Sequence, residues 1–316
     1  MSVKSEFQYL SADGKSQIHA IRWEPEDGKI THVLQITHGM TEYVDRYDEF
    51  ANFLTEHGFL VVGHDHLGHG WTAQTEEELG YFAKKHPSDT LVEDMHTLRI
   101  RTQGENPGIP YFMMGHSMGS YMLRKYLGLH GKDLDGAIIM GTGFVPKTMT
   151  AFAKCFTRFV ALFRGWHHRS LLVAMLSFGK PYRRYDLTGQ DLTNSWLTKD
   201  TEILTKYKDD PKGGFLFTLN GFYGLFEAVS ASCDKSWARR VPKELPMLLV
   251  SGADDPVGNF GDGVEKSRKL YEQAGIEDLT MKLYDNDRHE LVNETNRKEV
   301  YADILDWILT RDQSRR

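Results

Sequence analysis

Tyr111-Phe112-Met113-Met114-Gly115-His116-Ser117-Met118-Gly119 decides the fold of this 316-residue chain. Four apolar residues come first, then Gly-x-Ser-x-Gly, then a stretch with helical spacing from Met118 to Leu129. That is a strand feeding a helix through one sharp turn, the context a nucleophile elbow requires. The turn projects the Ser117 hydroxyl above a sheet. Strand and helix approach so closely there that only small residues fit at Gly115 and Gly119. The helix N-terminus offers backbone N–H groups to a developing negative charge.

Short apolar runs recur on both sides of this segment. Val33–Ile36, Leu60–Val62, Ala137–Met140 and Met247–Val250 each read as a strand buried on both faces. Leu279-Met281-Leu283 alternates instead, which fits a strand nearer an edge. Glu6–Leu10 and Gln17–Arg22 read as two further strands joined by a turn at Ala12-Asp13-Gly14. Helical patterns lie between the strands. Tyr47, Phe50, Ala51 and Leu54 share one face before Gly58. Others run Ser88–Gln103, Val264–Gln273 and from about Asn293 to Leu309. The alternation predicts an α/β fold with parallel strands and right-handed crossovers.

The alternation stops after Gly143. Residues 144–232 hold 16 of the 37 aromatic residues, about twice the density elsewhere. Strand-like runs are scarce, and Ala151–Phe163 and Ser170–Phe178 look helical. Val241–Pro246 reads as a linker back to the sheet. The expected organisation is a core of residues 1–143 and 236–316, interrupted by a helical cap over residues 144–235.

Composition narrows the function. The net charge of −6 argues against nucleic-acid binding, which usually shows as a basic domain. The longest apolar run, Leu171–Leu176, is far short of the roughly 20 residues a bilayer span needs. The first six residues lack the apolar core of a signal peptide. Two cysteines, Cys155 and Cys233, give no disulfide framework, and a cytoplasmic location with reduced thiols is expected.

A serine hydroxyl needs a base, and the base needs a carboxylate to hold its tautomer. On a sheet of this kind the chain order is Ser, acid, His. After Met247–Val250 comes Ser251-Gly252-Ala253-Asp254-Asp255-Pro256-Val257. Asp255 is favoured as the acid because Pro256 keeps it extended or turned; Asp254 is the alternative. After the last strand comes His289, the only histidine beyond residue 168. The loop after Val33–Ile36 carries His38-Gly39-Met40. The Met40 and Met118 N–H groups are the expected oxyanion donors, each worth about 2.7–4 kcal/mol of barrier. His38 is expected to hold its loop.

His64-Asp65-His66-Leu67-Gly68-His69-Gly70 competes as a zinc site, but Gly68 stands where a ligating aspartate is needed. No P-loop or post-strand dinucleotide fingerprint is present, so neither metal nor cofactor is expected.

Together these residues resemble the α/β-hydrolase superfamily, and within it the monoacylglycerol lipase and lysophospholipase group. The resemblance rests on His38-Gly39-x-x-Glu42-x-x-x-Arg46-Tyr47, on the His64–Gly70 loop, on the elbow, and on Gly252-x-x-Asp255-Pro256-Val257. It spans roughly residues 28–311 and supports Asp255 over Asp254. It implies a mostly parallel eight-stranded sheet flanked by helices, with a cap over the site. It also implies cleavage of single-chain acyl esters without a metal. Thr41-Glu42-Tyr43 departs from the Gly-Glu-His frequent in the group, so head-group preference does not carry over. The expected partners are a small acyl ester or lipid and, transiently through the cap, a membrane surface. Open alternatives are an aminopeptidase or amidase, with Glu227 or Asp200 anchoring an amine, a thioesterase, and a non-catalytic binding protein on the same scaffold.

Overall fold

A computed structural model describes residues 2–313. Its strands are β1 (Ser2–Leu10), β2 (Gln17–Pro25), β3 (His32–Thr37), β4 (Phe59–His64), β5 (Tyr111–His116), β6 (Gly136–Met140), β7 (Met247–Gly252) and β8 (Leu279–Tyr284). They form one sheet in the order β1-β2-β4-β3-β5-β6-β7-β8. The β1–β2 and β2–β4 pairs are antiparallel and every other pair is parallel. β8 sits at the edge, as its alternating sequence predicts.

The helices are α1 (Asp48–Thr55), α2 (Pro87–Glu105), α3 (Met118–His130), α4 (Lys147–Arg164), α5 (Leu171–Ser177), α6 (Thr201–Asp209), α7 (Leu219–Ser232), α8 (Lys235–Ala238), α9 (Asp262–Ala274) and α10 (Arg297–Gln313). Successive strand residues point to opposite faces, so each apolar strand feeds two cores. Leu60, Val62, Tyr111, Met113, Ala137 and Ile139 join the core on one face. Phe59, Val61, Phe112, Met114, Ile138 and Met140 join the other. Burying a side chain of this kind stabilises by about 1.5–3 kcal/mol, which is why runs of only four residues hold the sheet.

Two departures from the sequence expectation are informative. The last helix starts at Arg297, not near Asn293. Glu294 instead accepts hydrogen bonds from the Arg288 N–H at 2.9 Å and the Thr295 N–H at 3.1 Å, so these residues brace the loop after β8. In the insert, Phe217, Leu219, Phe222, Ala228 and Val229 join the same apolar cluster as the sheet. The end of the insert therefore packs into the body of the molecule rather than around a core of its own. Among the described residues no helix is long and apolar enough to cross a membrane.

Candidate active site

The C-terminal ends of β3, β5, β7 and β8 converge. Between β5 and α3, Ser117 adopts φ 51° and ψ −119°. A non-glycine residue holds such a conformation only where its surroundings over-determine it. They do so here. A Cβ on Gly115 would lie 2.4 Å from the Gly119 carbonyl oxygen, and one on Gly119 would lie 2.1 Å from that of Thr37. The Ser117 N–H donates to the Met140 carbonyl at 3.0 Å, fastening the turn to β6. Ser117 stays half-exposed while its neighbours in the motif are buried.

Asp255 and His289 meet beside it. The imidazole Nδ1 lies 2.9 Å from Asp255 Oδ2. Ser251 Oγ donates to the same oxygen at 3.1 Å, and the Val257 N–H donates to Oδ1 at 2.8 Å. Asp255 and His289 are buried, whereas Asp254 is exposed and bonds through its backbone, its N–H to the Asp287 carbonyl at 2.9 Å and its carbonyl to the Tyr185 hydroxyl at 2.6 Å. Gly252 lets the two loops approach: a Cβ there would lie 2.1 Å from the Asp287 carbonyl oxygen. With its Nδ1 proton on Asp255, His289 has a free lone pair on Nε2, which is buried and unpartnered. Its ring lies between those of His116 and Trp196, with centroids 4.7 and 5.0 Å away.

Ser117 and His289 line one chamber of about 1340 Å³ whose walls are mainly apolar, among them Tyr121, Phe156, Phe222 and Leu225. Met40 and Met118 line it too. A Cβ on Gly39 would lie 3.0 Å from Ser117 Cβ, so the β3 loop runs directly past the serine. The Met40 and Met118 N–H groups make no backbone hydrogen bond among the described residues.

Behind the serine lies a buried ionic network to which the sequence reading assigned no role. Glu42 accepts from His116 Nδ1 at 3.0 Å, the Tyr47 hydroxyl at 3.0 Å, Arg46 Nη1 at 2.9 Å and the Gly39 N–H. Arg46 also holds Glu290 through two bonds of 2.9 and 2.7 Å. His116 Nε2 faces the His289 carbonyl at 3.3 Å. Burial opposes ionisation of Glu42, but the hydrogen bond and charge of His116, with Arg46, hold its carboxyl well below the usual range. Burial likewise opposes a charge on His116, and Glu42 overrides it and raises the pKa. The sequence signal was the His38-Gly39-x-x-Glu42-x-x-x-Arg46-Tyr47 segment, which carries the resemblance without saying what Glu42 and Arg46 contact.

The insert reaches the same place. Residues 193–199 are strapped to the loop carrying His289. Trp196 and Leu197 carbonyls accept the His289 and Glu290 N–H groups at 3.4 and 2.7 Å. Thr198 Oγ1 donates to the Asn293 carbonyl at 2.9 Å, and Lys199 pairs with Asp287 at 3.0 Å.

The histidine-rich loop is a buried scaffold. His38 Nδ1 faces the Gly39 carbonyl at 2.8 Å, and its Nε2 accepts the His66 N–H at 3.0 Å. Only the neutral ring can do both. Asp65 accepts from the Val44 and Trp71 N–H groups and from His19, each at 2.8 Å. Among the described residues no three His, Cys, Asp or Glu side chains are placed to hold a metal ion. Burial, then the neighbouring His38, pushes His64 and His69 down to about 3; burial also lowers His38 and His66.

An acid sensitivity follows. These four rings stay neutral in the fold, while the unfolded chain protonates them near 6.5. Their contribution is complete above that pH and falls as pH drops, for His64 and His69 as far as about 3. Each group costs up to about 1.4 kcal/mol per pH unit in that window. Asp94, raised by burial to about 7, and His19 and His116, both raised, work in the opposite sense. The four lowered groups outweigh them. The melting midpoint should therefore fall by roughly 5–10 °C between pH 7 and pH 5. Equal midpoints in thermal melts would contradict this.

The sheet order, the elbow and the placement of the loops define an α/β-hydrolase. The chain belongs to the serine aminopeptidase S33 (Hydrolase_4) family, whose model matches residues 28–296. It is 25% identical to the monoacylglycerol lipase of Mycolicibacterium smegmatis over 98% of both chains. It is also 25% identical to human monoglyceride lipase, covering 96% of this chain and 89% of that protein. A thermostable carboxyl esterase from Bacillus coagulans, solved with glycerol, superposes with a TM-score of 0.89 at 29% identity, covering 98% of this chain and 99% of that one. The chain is thus a monoglyceride lipase-like member of a hydrolase family.

Proposed function

We propose that this chain hydrolyses carboxylic esters of single acyl chains, as its monoacylglycerol lipase relatives are named for doing. Ser117 Oγ attacks the acyl carbonyl while His289 Nε2 takes its proton. Asp255 keeps the Nδ1 proton in place and stabilises the imidazolium. The oxyanion forms against the Met40 and Met118 N–H groups. His289 then hands its proton to the leaving alcohol, and an acyl-Ser117 ester remains. Water, deprotonated by His289, releases the acid and restores the serine.

The observation that carries this reading is that one mainly apolar chamber is lined by both Ser117 and His289, whose Nε2 is buried and free to accept a proton. An aminopeptidase would need a carboxylate for the substrate amine. Of the two nominated from sequence, Asp200 caps α6 and pairs with Arg297 at 3.0 Å, and Glu227 accepts from Ser88 at 3.2 Å. Neither lines the chamber. Residues 144–235 are proposed as the cap that roofs it. The location proposed for the chain is cytoplasmic.

A hydrolysis profile over monoacylglycerols, lysophospholipids, short esters and aminoacyl amides tests the proposal. Burying one more CH₂ is worth about 0.8 kcal/mol, so kcat/KM should rise roughly fourfold per methylene until the chamber is full. Turnover of aminoacyl amides with none of the acyl esters would overturn it.

A further inference from the structure

The loop after β3 turns on a strained residue. Thr41 has a φ of 57°. That left-handed region suits glycine, and a β-branched side chain is an outlier there that persists only when its surroundings hold it. Turns with a left-handed third residue usually place glycine or asparagine at that position. Here the turn consists of Gly39, Met40, Thr41 and Glu42, and it closes where Glu42 accepts the Gly39 N–H. Met40, with its proposed oxyanion donor, is at the tip. Thr41 and Tyr43 are also the two departures from the Gly-Glu-His frequent in the group.

Every hydrogen bond that Thr41 makes among the described residues comes from the insert. The Tyr207 hydroxyl, on α6, donates to the Thr41 carbonyl at 3.2 Å. With its one proton placed there, it accepts from Thr41 Oγ1 at 2.8 Å and from the Gly214 N–H at 3.1 Å. The Gly214 N–H also reaches the Thr41 carbonyl at 3.2 Å. The Tyr207 ring is itself placed, 4.6 Å from the Arg46 guanidinium. The second departure, Tyr43, donates to Asp210 on the same segment. Lys212 donates to the Gly70 and Ala73 carbonyls at 2.8 and 3.0 Å. Residues 207–214 are thus fastened to the turn that carries Met40, as residues 193–199 are to the loop that carries His289.

We propose that Tyr207 is a positioning residue for the oxyanion hole. Its hydroxyl holds Thr41 left-handed, and with it the turn that presents the Met40 N–H to the reacting carbonyl. The inference rests on reading Met40 as an oxyanion donor. Without the hydroxyl, Thr41 relaxes toward negative φ, Glu42 swings off the Gly39 N–H, and the donor leaves its place. The insert must therefore be seated on the sheet before the site can stabilise a transition state.

Steady-state hydrolysis of p-nitrophenyl butyrate by the full chain and by Y207F, T41G and T41G/Y207F tests this. Y207F removes one oxygen and keeps the ring over Arg46. Its kcat should fall about 10- to 100-fold, the loss expected when a catalytic group is displaced rather than deleted. KM should stay within about twofold, because an oxyanion donor acts on the transition state and not on the bound ester. Glycine holds a left-handed turn unaided, so in the T41G background the same change should cost less than about threefold. A direct contact between Tyr207 and the ester, or a general loosening of the fold, would not be relieved in this way. A Y207F variant with kcat within about twofold of the parent would overturn the proposal, since a displaced donor costs far more. So would a loss confined to KM, an equal kcat loss in the T41G background, or a T41G variant without activity. A parent chain that hydrolyses no acyl ester would sink the hydrolase reading and this inference with it, a result that an active parent with an indifferent Y207F cannot be mistaken for.

Discussion

Ser117→Ala is expected to lower kcat for an acyl ester by about 10⁴–10⁶, with the melting midpoint almost unmoved. Losses of that size follow when a serine nucleophile acts as a unit with its base. What remains comes from binding and the oxyanion donors. Stability should survive because the Ser117 contact that fastens the turn is its backbone N–H to the Met140 carbonyl, which alanine keeps. Alanine also adds no bulk to a turn already crowded by Gly115 and Gly119. Steady-state rates with purified variant, alongside a thermal melt, check both halves. A variant that keeps a tenth of the parent activity would remove Ser117 from the mechanism.

Arg46→Ala should be the most damaging single change outside the reacting groups. It removes the cation shared by two carboxylates, Glu42 and Glu290, each about 3% exposed, and leaves Glu290 with only the Asn293 amide among its side-chain partners in the described residues. Removing one partner of a buried ionic cluster typically costs about 3–5 kcal/mol. The midpoint should drop by roughly 10 °C. The damage also reaches the chemistry, since Glu42 holds the Gly39 N–H and His116, and Glu290 adjoins His289. Arg46→Ala with Glu290→Gln should recover part of the loss, because one stranded charge is then gone. Urea melts of the single and double variants measure this. A single variant within 1 kcal/mol of the parent would show that the network does not hold these loops.

Much of the fold was legible because its determinants are local. Val33–Ile36 and Tyr111–Met114 are apolar on both faces, and that pattern needs no partner to be read. The elbow was legible because its five-residue motif lies between an apolar strand and a helical stretch, although the contact that demands Gly119 is with Thr37 on a strand distant in sequence. The choice between Asp254 and Asp255 turned on Pro256, one residue away, and the structure puts Asp255 on the imidazole. What stayed hidden depends on contacts distant in sequence. Glu42 and His116 lie 74 positions apart and Arg46 and Glu290 lie 244 apart, so each reads alone as an ordinary polar side chain. α7 was missed for a related reason: its helical spacing is interrupted by Gly221 and Gly224, which are needed where it meets the Gly80 carbonyl and the Phe82 ring. α6 was missed because it is only nine residues long with one buried side chain, Leu204. The Glu42–Arg46 spacing was visible, but nothing local says that such a pair is buried.

The strap of residues 193–199 has a consequence for anyone who would exchange roofs between relatives. Its carbonyls hold the backbone of His289 and Glu290, and its lysine holds Asp287. A foreign segment grafted at the two ends of the insert would arrive without those grips, and His289, the proposed general base, would lose its fixed bearing even though none of the proposed reacting residues had been altered. Chimaeras should accordingly be cut so that positions 285–294 travel with the transplanted segment.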